Sequence, residues 1–374
     1  MIYLDNAATT KPSESALKKA EIFNSENFFN PSALYAGGLS AAKELKTAKE
    51  NLLKNIGANL NFELIFTSCG SESDNMAIFG CVKRGVFVTD KGEHSAVYKS
   101  FLELKNRGHR VEFADLNEDG SVNVESLLKI VKDSAANFVS IVHVNNETGA
   151  INDVNLIAKK IKEINNKIVF HVDGVQAYGK IPYKISKDID LYAISAHKIN
   201  ALKGTGALIK KKGLNIAPLI IGGGQEGNLR SGTENVFGIK VFEYAAKEKY
   251  DNLSENFEQI SKIKNKFKNQ LDEKLFKIIS SNDSSPYILT FSAIGLRGEV
   301  VMHLLERQEI IVGNGSACSS KNRFSRVIEA CGYKNDVLDG VIRVSFSVDT
   351  TEMEAERAVN IINQTVEKLK GKLM

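Results

Sequence analysis

Asp190-Leu191-Tyr192-Ala193-Ile194-Ser195-Ala196-His197-Lys198 is the stretch on which the reading of this chain turns. Its first half is a short apolar run of strand character. Its second half turns polar at once and ends on a lysine flanked by a hydroxyl and an imidazole. Lys203-Gly204-Thr205-Gly206 follows, and Ala207-Leu208-Ile209 is another apolar run. A lysine at the mouth of a sheet, in that company, suits Schiff-base chemistry. Most of the 49 lysines and arginines only solvate a surface, so Lys198 needs partners elsewhere in the chain.

The same change from apolar strand to polar turn recurs upstream. Leu64-Ile65-Phe66 runs into Thr67-Ser68-Cys69-Gly70-Ser71-Glu72-Ser73, a small polar turn opening a helix at about Asp74. Backbone N–H groups there, with Gly70 and the Ser71 hydroxyl, make either a phosphate cradle or a plain N-cap. Val86-Phe87-Val88 is a strand leading to Glu93-His94-Ser95. Val139 to Val144 is a continuous apolar strand capped by Asn145-Asn146-Glu147-Thr148-Gly149. The next helix carries Val154, Ile157, Ile161 and Ile164 on one face. Ile168-Val169-Phe170-His171-Val172 then ends at Asp173, with Gln176 three residues on. A carboxylate at the end of a buried strand is costly without a partner. A protonated pyridine nitrogen would be one, and a helix N-cap is the equal alternative.

Strands alternating with helices predict an α/β fold with a mostly parallel sheet covered on both faces. Ser71, His94, Asn146, Asp173, Gln176 and Lys198 all fall just after predicted strands. Ligands of such sheets bind outside the carboxyl ends of the strands. Pyridoxal 5'-phosphate needs a lysine, a carboxylate against its ring nitrogen and donors for its phosphate. This collection of residues supplies that set.

At 374 residues the chain is long enough for two domains. The texture changes after Asn252 to a charged amphipathic helix, Phe257 to Leu275. We therefore expect a large domain over 13–252 and a smaller α+β domain built from 1–12 and 253–374. Within the smaller unit, strands are expected near Tyr287–Phe291 and Val341–Phe346. A closing helix from about Glu352 is expected, with Thr351 and Glu354 as a capping box. In the large domain, helices are expected over Ser13–Phe23 and 38–55. The net charge of +4 and the absence of a long basic run exclude a nucleic-acid binder. No apolar stretch has membrane length, and Met1-Ile2-Tyr3-Leu4-Asp5 has no signal-peptide character, so a cytoplasmic protein is expected. Cys69, Cys81, Cys318 and Cys331 lack zinc-site spacing and read as reduced thiols, with no metal expected.

Two segments stand apart. Val312-Gly313-Asn314-Gly315-Ser316-Ala317-Cys318-Ser319-Ser320-Lys321 surrounds one cysteine with small residues, which suits a reactive thiolate. Gly222 to Asn235, containing Arg230-Ser231-Gly232-Thr233, is glycine-rich without P-loop spacing and fits a surface or subunit-contact loop. Arg343 places a guanidinium on an otherwise apolar strand, where it wants a carboxylate.

Taken together these stretches resemble cysteine desulfurases of the NifS/IscS type, within the class V aminotransferase family of fold-type I pyridoxal phosphate enzymes. The resemblance runs nearly end to end, from Tyr3-Leu4-Asp5-Asn6-Ala7-Ala8-Thr9-Thr10 through His171-Val172-Asp173 and Ser195-Ala196-His197-Lys198 to Gly315-Ser316-Ala317-Cys318. It implies conversion of L-cysteine to L-alanine, with the sulfur passed to an enzyme cysteine as a persulfide. A class V aminotransferase or a selenocysteine lyase-like enzyme is the alternative. By that resemblance Lys198 forms the Schiff base, Asp173 holds the ring nitrogen, Gln176 meets the ring hydroxyl, and His94 stacks and shuttles protons. Asn146 also contacts the cofactor, and Gly70, Ser71, Ser195 and His197 bind the phosphate. Thr233 reaches in from the second subunit of a homodimer. Asn30 and Arg343 hold the substrate carboxylate, and Cys318 takes the sulfur for a sulfur-acceptor protein, in iron–sulfur cluster or other thio-cofactor biosynthesis. Departures from the family pattern are Cys69 for a glycine, Ala201-Leu202 for Gly-Pro, Tyr35 for a histidine and Ser345-Phe346-Ser347-Val348 after Arg343.

Overall fold

The computed structural model describes residues 1–58, 60–82, 85–314 and 324–372. Cys318 lies outside the described residues. In chain order the strands are β1 (Ile2–Leu4), β2 (Phe62–Thr67), β3 (Val86–Asp90) and β4 (Arg110–Ala114). They continue with β5 (Phe138–Val142), β6 (Val169–Asp173), β7 (Leu191–Ser195) and β8 (Gly206–Lys211). The last are β9 (Phe276–Ile278), β10 (Ile288–Ala293), β11 (Ile310–Val312) and β12 (Val341–Ser345).

Seven of them form one sheet in the order β2-β8-β7-β6-β5-β3-β4. β4, β3, β5, β6 and β7 are mutually parallel, and β8 runs antiparallel to both β7 and β2. β2 therefore points the same way as β7, and β8 alone is reversed. The predicted α/β architecture is the observed one, and β4 is an edge strand that the apolar pattern does not announce.

Side chains alternate across this sheet as strand geometry requires. Ile65, Leu191 and Leu208 point to one face, where Met76, Ala77, Ile78 and Phe101 cover them. Leu64, Phe66, Tyr192, Ile194 and Ile209 point to the other, against Leu52, Ile157 and Phe242. Burial on both faces explains why these strands read as continuous apolar runs.

A second core gathers Ile2, Leu4 and Ala7 with residues from Ile260 to Val366. Its sheets are β12-β10-β9 and the parallel pair β1-β11. Asn252 stands between helix Val236–Asp251, in the first core, and helix Leu253–Asn269, in the second. The closing helix is Glu352–Gly371, and the capping box forms: Thr351 Oγ1 accepts from Glu354 N, and Glu354 Oε2 accepts from Thr351 N.

Several boundaries differ from the sequence-based expectation. The first helix ends at Ala20 and a short turn, Ile22–Ser25, follows it. The helix expected near Asp74 starts at Gly70, because Cys69 is already in extended backbone and serves as its cap residue. The helix expected over Phe257–Leu275 spans Leu253–Asn269 instead.

Candidate active site

At the carboxyl ends of β2, β5, β6 and β7 the chain encloses a cavity of about 360 Å³. Gly70, Ser71, His94, Asn146, Asp173, Gln176, Ser195, His197, Lys198 and Arg343 all line it. The remaining walls come from the N-terminal arm at Ala7 and Ala8, and from Cys69, Asp74, Glu147 and Asn314 among others.

Lys198 ends a single helical turn, Ala196–Lys198, at the tip of β7. Its amine donates to the carbonyl oxygens of Ala7 at 2.6 Å and Ala8 at 2.9 Å. The arm is held from several sides. Thr10 Oγ1 donates to His197 O, Gln176 Nε2 donates to Ala7 O, and Ala7 N donates to Ser345 Oγ.

Asp173 closes β6 and is 3% exposed. Its Oδ1 accepts from Val175 N at 2.9 Å. Burial raises its carboxyl from 3.8 to about 6, against the lowering effect of that N–H and of Lys198. His94 caps helix Ser95–Asn106, with Nδ1 accepting from Ala96 N at 3.2 Å. Burial first, then the charges of Lys198, Arg326 and Arg343, push its imidazole down to about 4. The ring is neutral near pH 7, and with Nδ1 as acceptor its proton sits on Nε2.

The first turn of helix Gly70–Gly80 faces the cavity, and no side chain caps it. Ser195 Oγ stands beside it, buried and without a hydrogen-bond partner. A Cβ on Gly70 would lie 2.7 Å from Val175 Cγ2 and 3.3 Å from Ser195 Cβ. Glycine is required there by space. It is not required at Cys69, whose φ of −172° any residue adopts, so that substitution leaves the turn intact. Uncapped N–H groups at a helix start, with a hydroxyl alongside, are suited to an anion.

Glu72 fastens the turn from behind. It accepts from Ser68 N at 2.7 Å and from Arg230 Nε at 2.9 Å, tying the glycine-rich loop to this corner. Arg343 lies on β12, donating to Asp5 Oδ1 and to Asn146 O, each at 2.8 Å, while its buried Nε has no partner. His197 pairs through Nδ1 with Thr9 Oγ1 at 3.1 Å.

Two expected residues are not brought to this cavity within the single chain. Asn30 is exposed and its Oδ1 accepts from Ser32 N. Thr233 is exposed in the glycine-rich loop. Conversely, Asp74 was not among the expected site residues. It is 1% exposed, and its carboxylate and the ligating atoms of His94 and Asp173 lie within 4.8 Å of one another. Burial and the nearby Asp173 hold its carboxyl well above the usual carboxylate range. The signal was available: Asp74 precedes Ala77 and Ile78 at helical spacing, on the face that turns inward.

Chemically the cavity offers an amine, a neutral imidazole, a carboxylate for a cationic nitrogen and an anion cradle at the strand ends of the large sheet, with a guanidinium facing them from β12. The sequence profile of the class-V aminotransferases matches residues 2–358. A cysteine desulfurase from Nostoc sp. is 33% identical over 99% of this chain and 94% of its own length. A NifS/IcsS protein homolog from Lactobacillus delbrueckii subsp. bulgaricus is 36% identical over 96% of this chain and 95% of its own. The solved structure of a NifS-like protein superposes with a TM-score of 0.91 at 32% identity, over 98% of this chain and 99% of that one.

Proposed function

This chain belongs to the class-V aminotransferase family, and on that premise we propose that it is a pyridoxal phosphate-dependent cysteine desulfurase. The observation that carries the reading is the convergence of Lys198, Asp173 and His94 on one cavity, with the unpartnered Ser195 hydroxyl at the start of helix Gly70–Gly80. Those residues fit the cofactor. A phosphate supplies the acceptor that Ser195 and the uncapped N–H groups lack, and a protonated ring nitrogen supplies the cation that buried Asp173 lacks. Bound pyridoxal phosphate supplies an electron sink that makes the α-proton of an amino acid removable.

The chain's own groups do the rest. Lys198 holds the cofactor through its amine and moves the α-proton, while Asp173 keeps the ring nitrogen charged. Gln176 meets the ring hydroxyl, Asn146 adds a contact, and His197 joins Ser195, Gly70 and Ser71 around the phosphate. Neutral His94 carries its proton on Nε2, where it can donate to a leaving or entering group. Arg343 takes the substrate carboxylate, its unpartnered Nε supplying a donor, with Asn30 assigned to the same group. Cys318, as a thiolate, attacks the substrate sulfur. The C–S bond breaks, an S–S bond forms, and its electrons leave as a carbanion that is protonated to alanine. In balance, L-cysteine and the Cys318 thiol become L-alanine and the Cys318 persulfide.

A homodimer suits the surface. Leu34, Tyr35 and Leu39 are exposed near the N-terminus, as are Leu219, Ile220 and Ile221 before the glycine-rich loop, with Leu34 at 89% and Ile221 at 85%. Large exposed apolar side chains mark interaction sites, and a two-fold partner would bring its Thr233 to the phosphate. An acceptor protein then removes the sulfur, for iron–sulfur clusters or another thio-cofactor. Among the described residues no helix is long and apolar enough to cross a membrane. Cys69 and Cys331 as reduced thiols accord with a cytoplasmic setting. The test is incubation of the cofactor-loaded protein with L-cysteine and a thiol reductant, quantifying alanine and sulfide. Equimolar alanine and sulfide is the expected result. Amino-group transfer to a keto acid without sulfide overturns the reading.

A further inference from the structure

Lys180 is a buried amine for which the chemistry above has no use. It is 6% exposed and follows Gln176 by four residues, on the same side of the turn that leaves β6. Its Nζ donates to Gln176 Oε1 at 2.8 Å and stands 6.0 Å from the centre of the Tyr287 ring. Gln176 in turn donates from Nε2 to Ala7 O at 2.9 Å, the same carbonyl that accepts from Lys198 at 2.6 Å. Lys180, Gln176, Ala7 and Lys198 thus form one line of hydrogen bonds that reaches the cavity wall from behind Gln176.

This line fixes which way the amide of Gln176 faces. A flip would set its carbonyl against the Ala7 carbonyl and, with Lys180 protonated, its NH2 against an ammonium that has no lone pair to accept it. An amide NH2 has two protons, and only one of them is taken by Ala7. The other is the donor that Gln176 presents to the cavity it lines. We propose that Lys180 is a positioning residue which, by holding Gln176 Oε1, makes this point of the cavity a hydrogen-bond donor and so selects a ligand with an acceptor oxygen there. The proposal rests on the reading that the cavity takes pyridoxal phosphate, whose ring oxygen is such an acceptor. A neutral amine could also accept from a flipped NH2, so the orientation is fixed at both ends when Lys180 is protonated and at the Ala7 end alone when it is not. Burial, with Lys198, Lys249 and Arg343 nearby, pushes the Lys180 amine well below the usual lysine range, which makes its replacement by an apolar side chain of similar length tolerable to the fold.

The test is a double-mutant cycle read as pyridoxal phosphate affinity, measured by titrating the stripped apoprotein. Lys180→Met and Gln176→Met are each expected to weaken binding about tenfold, the effect of one lost buried hydrogen bond. The double variant is expected to bind no more weakly than Gln176→Met alone, because Lys180 acts only through Gln176. Thermal melts of each apoprotein verify folding. Backbone hydrogen exchange at Ala7 to Thr10 supplies a cofactor-free reading, expected to accelerate equally in both single variants. Multiplying losses in the double variant, or wild-type affinity and exchange in Lys180→Met, overturn the role of Lys180 alone. A wild-type apoprotein that takes up no pyridoxal phosphate overturns the cofactor reading and this proposal together.

Discussion

Replacing Asp173 with asparagine is expected to stabilise the apoprotein while impairing its function. Burial raises this carboxyl from 3.8 to about 6. A group with a raised folded-state value favours the folded state below its unfolded value, and that advantage is lost as pH rises through the folded value. Near pH 8 the ionised, buried carboxylate therefore costs about two units at 1.36 kcal/mol each, roughly 3 kcal/mol. Asparagine keeps the shape and the acceptor for Val175 N without the charge, so it escapes this cost. With an unfolding entropy of roughly 2.1 cal/mol/K per residue, 374 residues translate 3 kcal/mol into a Tm rise of about 4 °C. The assay is thermal unfolding of both apoproteins by circular dichroism across the pH range. The expected outcome is a gap of about 4 °C near pH 8 that closes by about pH 4. Addition of pyridoxal phosphate should reverse the order, since binding stabilises only the protein that holds the cofactor. A variant no more stable than wild type near pH 8, or a gap independent of pH, refutes the reasoning.

Lys198→Ala should abolish the near-visible absorption of the loaded protein and leave no cofactor attached after borohydride reduction, as read by mass spectrometry. Gly70→Val should fold, at a cost of about 1–3 kcal/mol from overpacking against Val175, and lose nearly all cofactor, as titration of the apoprotein would measure. Cys318→Ser should keep the cofactor and respond spectrally to L-cysteine but release no alanine, because a hydroxyl is far less ionised than a thiol. Cys331→Ala should stay active, since burial pushes that thiol up to about 12 and makes it a poor nucleophile.

The cavity's strand-end residues were legible for a simple reason. A buried parallel strand is largely apolar, so the cluster of polar residues that closes each run, with His94, Asp173 and Lys198 among them, stands out. The reversed β8 was also within reach, because residues 196–205 are too few for the crossover a parallel neighbour needs. Other features leave no trace in local pattern. The acceptors for Lys198 are backbone carbonyls of two alanines, which carry no chemical label. Asp5 and Arg343 are far apart in sequence, and they meet because the arm after β1 bridges to β12 at Ser345 while β1 pairs with β11. Lys180 sits in a turn where a lysine ordinarily meets solvent, and its burial depends on the second core closing over it.

The arm that receives Lys198 and Gln176 is synthesised before the sheet it closes, yet its anchors, β11 and Ser345, follow that sheet in the chain. At roughly 5–20 residues per second, tens of seconds separate Ala7 from Ser345 on the ribosome. In that interval the seven-stranded sheet, complete by Lys211, can condense while its pocket lacks one wall. Cofactor capture thus waits until Ser345 has been made. A nascent chain arrested between Asp251 and Ser345 would hold a folded large core that cannot retain the cofactor.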